Sequence, residues 1–253
     1  MLVPLLVSCI IFSLQTNEDP HTDWSLEIEF QTNSAYVWRG LVLVDDYVYQ
    51  PSATFSIRGL SASIWGNLEL TDINDYGEGY GDGSGKFTEI DLSVDYSWSL
   101  DVLNFAVGFI HYQFPNTPFS STNEIYGSLG LDVAWSPSIK VYQDVDQAEG
   151  TYVTFAVSNT VFEAWRPSES VSISAGIDAW VSYGSTRFNR FYHGTGTGAF
   201  TDAGLSLSLP VSVGEGWAFV PSANYSILLD DSIREDSDKP DIFWFGIGLS
   251  HEF

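Results

Sequence analysis

The stretch Glu89-Ile90-Asp91-Leu92-Ser93-Val94-Asp95-Tyr96-Ser97-Trp98 decides the fold. Ile90, Leu92, Val94, Tyr96 and Trp98 take every second position, with Glu89, Asp91, Ser93, Asp95 and Ser97 between them. Successive side chains of an extended chain point to opposite sides, so a period of two sorts these residues onto two faces of a β-strand. One face is wholly apolar; the other is acidic and small. The same alternation runs through Trp24, Leu26, Ile28 and Phe30 against Ser25, Glu27, Glu29 and Gln31, and from Tyr47 to Ile57 and Leu60 to Leu70. It returns at Leu103 to Phe109, Ile125 to Trp135, Ile139 to Val145, Tyr152 to Ser158, Val171 to Val181, Ala203 to Val213, Trp217 to Ile227 and Phe243 to Phe253. No stretch shows a convincing helical period. Twelve strands are expected, at about 20 residues per strand and connection, which suits bilayer-crossing strands of about 9–11 residues.

The connections alternate in length. Arg58-Gly59, Leu100-Asp101, Ser136-Pro137-Ser138 and Gly214-Glu215-Gly216 are short, with a longer one near Arg166-Pro167. Thr71 to Phe87, Asn116 to Asn123, Tyr183 to Phe200 and Leu229 to Pro240 are long, and each follows an odd-numbered strand. Strict alternation gathers the long loops at one end. The expected fold is all-β: a single antiparallel up-and-down transmembrane β-barrel with its short turns and both termini at the periplasmic end. Pro210 and Pro221 lie within strands and predict bulges or shortened strands, because proline cannot donate to the ladder. Trp24 to Trp38 exceeds one crossing and predicts a bulge near Asn33 or an extension above the membrane.

Composition narrows the classes. The 253 residues carry 33 acidic and 9 basic side chains, a formal net charge of -24, which excludes a phosphate-binding face and hence nucleic acid as a partner. Only 17% of residues are charged while 44% are hydrophobic and nine are Trp, so the acidity is not that of a disordered tail. No apolar run reaches the length of a membrane helix. Leu2 to Leu14 has the length of a signal h-region; residues 1-15 are read as a signal peptide and 16-253 as the barrel domain. The single Cys, Cys9, falls within that segment.

A soluble β-sandwich would alternate too, with its apolar faces turned to a common core. Three features oppose it. The polar faces hold small residues such as Ser61, Ser63, Gly130, Ser172, Ser174, Gly204 and Ser206, which suit a narrow lumen. Trp24, Trp98, Trp135 and Trp217 all fall at strand ends beside short turns, as an interfacial girdle would, and Tyr36, Trp38, Tyr47, Tyr49 and Tyr225 are candidates for a second girdle. The chain closes on an alternating strand with terminal Phe253, which looks like the signal read by the barrel assembly machinery.

Assigned by parity, twelve acids face inward: Glu27, Glu29, Glu69, Glu89, Asp91, Asp95, Glu124, Asp132, Asp144, Asp178, Asp202 and Glu252. Arg39, Arg58 and Lys140 are the inward bases, and the predicted lipid face carries no charge. A wet acidic lumen concentrates cations and repels anions. The expected function is passive passage of small solutes through a cation-preferring outer-membrane pore, in contact with lipid and lipopolysaccharide. The competing reading is a plugged structural or adhesive barrel that conducts nothing.

Sites with bound cofactors or metals are not expected. Gly77 to Lys86 resembles a phosphate loop but has Tyr80 at the first glycine position and Phe87 after the lysine. Asp72, Asn74 and Asp75 suggest a calcium loop, yet Gly83 stands where its bidentate Glu belongs. The chain is read as a non-enzyme; a barrel hydrolase would have to rest on His111 with Ser120, Ser121 and Asn123.

Ser34-Ala35-Tyr36-Val37-Trp38-Arg39-Gly40, followed in order by Glu89-Ile90-Asp91-Leu92, His111-Tyr112-Gln113-Phe114-Pro115, Asn123-Glu124-Ile125-Tyr126 and Val141-Tyr142-Gln143-Asp144, resembles the pattern of the TorF-like porins. The resemblance spans most of the chain and implies an outer-membrane barrel and transport, without a substrate or catalytic residues. Leu41 to Val44 departs from the polar loop that pattern would carry. Arg39 is expected to pair with Glu89 or Glu124 and set a constriction.

Overall fold

The computed structural model describes residues 24–253; the expected signal segment lies outside the described residues. The strands are β1 (Trp24–Asn33), β2 (Tyr36–Trp38), β3 (Leu41–Val44), β4 (Val48–Ile57), β5 (Leu60–Glu69), β6 (Phe87–Leu100), β7 (Leu103–Gln113) and β8 (Thr122–Leu131). They continue with β9 (Ser138–Asp144), β10 (Thr151–Ser168), β11 (Val171–Gly184), β12 (Ala199–Ser208), β13 (Val211–Val213), β14 (Trp217–Leu228) and β15 (Asp241–Glu252). Two short helices, α1 (Thr186–His193) and α2 (Asp231–Glu235), lie in the last two long connections.

All strands but β2 and β3 form one antiparallel sheet, closed where β1 pairs with β15. β12 and β13 both lie between β11 and β14 and are two pieces of one strand, so the barrel has twelve strands. The break falls at Leu209–Pro210, where proline has no N–H to give; Pro221, opposite it, stays within β14 and accepts from Leu209 N–H at 3.0 Å. The turn near Arg166-Pro167 is tighter than expected: β10 runs through both residues, with register shifts, to a turn at Glu169-Ser170.

Burial is inverted relative to a soluble protein. Leu92, Val94, Val107, Phe109, Ile125, Phe155, Phe245 and Ile247 are exposed, while Gln31, Gln50, Asn67, Glu89, Asp91, Glu124, Asp202 and Asn224 are buried. A sandwich would show the reverse, so the apolar faces point outward to lipid and the polar faces into the bore. Around the inner wall an amide ladder crosses four strands: Asn33 Nδ2 donates to Gln50 Oε1 at 2.7 Å, Gln50 Nε2 to Asn67 Oδ1 at 2.9 Å and Asn67 Nδ2 to the Thr88 hydroxyl at 3.1 Å. Each amide carbonyl accepts from the preceding amide in the ladder, which meets the hydrogen-bonding demand of buried polar groups.

The departure from expectation lies between β1 and β4. There is neither a bulge near Asn33 nor an extension above the barrel. The chain leaves the wall after Asn33 and forms a separate hairpin, β2–β3, that folds into the bore. Its tip is the two-residue loop Arg39-Gly40, both at positive φ (49° and 80°), as tight hairpins require. A side chain at position 40 would clash: a Cβ there would lie 2.7 Å from Leu228 Cδ2 and 2.8 Å from Asp202 Cβ. Glycine lets the tip reach the far wall.

Candidate functional site

The hairpin fills the bore because its two faces touch opposite walls. Tyr36 and Trp38 pack among Trp65, Ile110, Tyr112, Tyr142, Tyr152 and Phe188, while Ala35 and Val37 pack on Trp244. Helix α1 closes the remaining gap. Ser185 caps it by accepting from Phe188 N–H, and Phe188 is carried inward to lie 4.9 Å from the Tyr152 ring and 6.3 Å from that of Trp38.

Arg39 occupies the centre. Its two terminal nitrogens donate to the two carboxylate oxygens of Glu124 at 2.8 and 2.7 Å, and Arg39 is 1% exposed. The guanidinium carbon lies 4.4 Å from the Trp38 ring centre, 4.6 Å from Tyr142 and 4.5 Å from Tyr152. A planar cation is thus held by a forked carboxylate pair and stacked aromatic faces, the geometry for which arginine is suited. Tyr112 adds its hydroxyl to Glu124 at 2.7 Å, Tyr36 donates to Glu89 at 2.9 Å, and Asp202 accepts from Tyr152 at 2.7 Å and Trp180 at 3.0 Å. Gly204 makes room for Trp180, whose indole would lie 2.0 Å from a Cβ at that position.

The acids expected along the bore divide by height. Glu89, Asp91, Glu124 and Asp202 are buried at the level of the hairpin. Below it, toward the short turns, Glu27, Glu29, Asp95, Lys140 and Asp178 face an inner surface that is only partly covered. Lys140 lies 4.0 Å from the Tyr126 ring centre. Glu69 is buried at the opposite end, where it accepts from Asn74 at 3.3 Å and from the Tyr76 hydroxyl, tying down the 70–86 loop. Asp144 caps the 145–150 connection between β9 and β10, accepting from the N–H groups of Asp146, Ala148 and Glu149.

Four expectations need correction. Arg58, at φ 50°, is in the turn after β4 and exposed; Asp132 is likewise exposed in the turn after β8, its N–H donating to Val102. Parity holds only while the strand continues, and both strands have ended. Tyr36 and Trp38 belong to the hairpin inside the bore and not to an outer girdle. Tyr47, Tyr49 and Tyr225 do face outward or stand exposed at that end. Trp24, Trp98, Trp135 and Trp217 are 41–49% exposed at the short-turn end. Phe253 is exposed there too, held by backbone bonds to Leu26.

The sequence reading missed Trp65, Tyr112, Tyr126, Tyr152 and Trp180 as inward aromatics. Strand parity could have found Trp65, Tyr126, Tyr152 and Trp180, since each shares its face with serines or acids, whereas Tyr112 shares its face with Asn104, Ala106, Gly108 and Ile110. His111 lies on the outward face, its Nδ1 2.9 Å from Asn123 Oδ1. The same-face residue two positions on is Gln113, and among the described residues no hydroxyl bonds to His111.

His193, on α1, is 7% exposed, and burial pushes its imidazole down from an ordinary 6.5 to about 4. The folded state therefore holds it neutral. The stability this contributes is present above pH 6.5 and lost as pH falls toward 4, where only the unfolded segment has gained the proton. Limited proteolysis should find the 186–198 segment increasingly cleaved across that window, and His193→Gln should flatten the dependence.

No protein-family model matches the sequence, and no curated protein does. Solved structures do match in fold. The KdgM porin is 9% identical, with 90% of this chain and 99% of that one covered at a TM-score of 0.50. A second KdgM structure, in complex with disordered oligogalacturonate, matches equally. The NanC porin is 12% identical, with 89% and 98% covered and a TM-score of 0.50. The likeness is one of fold: an outer-membrane barrel of porin architecture.

Proposed function

We propose that this chain is an outer-membrane porin of the TorF-like kind, passing small polar solutes and preferring cations, with the β2–β3 hairpin as its gate. The observation that carries the reading is a polar, mostly acidic inner face interrupted where the hairpin and helix α1 cross it, the hairpin held there by the Arg39–Glu124 pair. Solutes enter from the short-turn end past Glu27, Glu29, Asp95 and Asp178 and pass only when the hairpin moves. The acids make the bore unsuited to an anionic cargo such as oligogalacturonate, because an excess of buried carboxylates repels anions. The Trp girdle faces lipid, the outer loops meet lipopolysaccharide, and Phe253 is offered to the assembly machinery.

Planar-bilayer recording tests this. The intact protein should show rare or small openings. A variant with Tyr36–Val44 replaced by a short Gly-Ser link should conduct steadily, several-fold more, with a reversal potential favouring potassium over chloride. Silence of both proteins would establish a plugged barrel, and chloride preference would overturn the cation reading.

A further inference from the structure

The bore binds one of its own cations, Arg39, between aromatic faces and a carboxylate. A second arrangement of the same kind lies beside it, and among the described residues no cationic side chain hydrogen-bonds to it. Asp91 on β6 is 1% exposed, and neither of its carboxylate oxygens has a hydrogen-bond partner. Its cross-strand neighbours are Trp65 on β5 and Tyr112 on β7, both buried and both pointing inward. Tyr36 of the hairpin covers Trp65, with ring centres 5.6 Å apart, and its hydroxyl occupies one oxygen of Glu89, two residues from Asp91 on the same face. Among the described residues the inward bases are already engaged: Arg39 by Glu124, and Lys140 over the rings of Tyr126 and Tyr142.

A buried carboxylate without a donor is strongly disfavoured, and a cationic donor from solution would relieve that cost. The walls decide which kind. A hard divalent ion needs six to eight oxygen ligands, and no group of three or more His, Cys, Asp or Glu among the described residues is placed to hold a metal. Aromatic faces flanking a carboxylate instead suit a weakly hydrated organic cation. Asp95 and Ser93 continue the same face toward the short turns and are only partly covered, which is the side from which a solute would approach Asp91.

We propose that Asp91, walled by Trp65, Tyr112 and Tyr36 with Glu89 beside it, binds the ammonium group of a small organic amine. The inference rests on the porin reading for its meaning, since it names the class of solute the bore would select. Binding can nevertheless be measured without conduction. The detergent-solubilised barrel should take up ethylammonium chloride saturably by calorimetry, against sodium chloride at equal ionic strength. Asp91→Asn should weaken it by about tenfold, as expected for a lost charged hydrogen bond. Trp65→Leu, which keeps every carboxylate, should weaken it by about threefold, and Asp101→Asn, in the exposed turn after β6, should leave it unchanged. If Asp91→Asn does not fold, as judged by heat-shifted gel mobility, Trp65→Leu carries the test. No saturable uptake above the sodium reference, or an affinity unchanged in the folded variants, overturns the site. Uptake with no current from the hairpin-deleted barrel would keep the site and remove the porin reading. Current without uptake would do the opposite.

Discussion

Arg39→Ala should lower the stability of the folded barrel by about 3–5 kcal/mol, the cost of leaving a buried carboxylate without its partner. Glu124 is 1% exposed, and in the variant it would keep the Tyr112 hydroxyl and lose both guanidinium bonds. The stacked rings of Trp38, Tyr142 and Tyr152 would face a void as well. Equilibrium unfolding in urea measures the loss. The pair with Glu124→Gln separates charge from packing: the double variant should recover much of the loss, because no charge is then left uncompensated. Arg39→Lys should recover little, since a point charge on a flexible stem supplies neither the fork nor the plane. A loss below about 1 kcal/mol, simply additive with Glu124→Gln, would mean that the hairpin is not held by this pair.

The second large effect is one of parity. Val94→Lys should cost about 2–4 kcal/mol in lipid vesicles, and Ser93→Lys should cost little or nothing. The two residues are adjacent near the middle of β6. Val94 is 50% exposed on the outward face, between Ala62 and Phe109 on the flanking strands. Ser93 faces the bore with Asp91 and Asp95 on either side, where an added cation meets carboxylates. Folding in vesicles followed by gel mobility gives both values. Equal costs, or the reverse order, would refute the assignment of the apolar face to lipid.

Much of the fold was legible because its signal is local. Glu89 to Trp98 alternates over ten residues, and no tertiary contact is needed to know which side chains share a face. The alternation of long and short connections then ordered the strands into a barrel, and Pro210 marked the break between β12 and β13. The site was legible only in part. Charge alone allowed Arg39 to pair with any of the inward acids, Glu89 and Glu124 among them, and the structure selects Glu124 because the hairpin tip, 85 residues away in sequence, reaches β8 across the bore. Arg58 and Asp132 were misplaced because parity was carried past the end of a strand.

The sequence by itself determined the barrel: period two, strand count and connection lengths are properties of the chain read a few residues at a time. What only the tertiary structure decided is what occupies the bore. Tyr36-Val37-Trp38 alternates like any wall strand, and nothing local says that it leaves the sheet. That depends on whether its edges find partners in the wall or in each other, and on whether both its faces can be buried at once. Both conditions are met only inside a closed barrel, where Trp65 and Tyr142 stand on one side of the hairpin and Trp244 on the other.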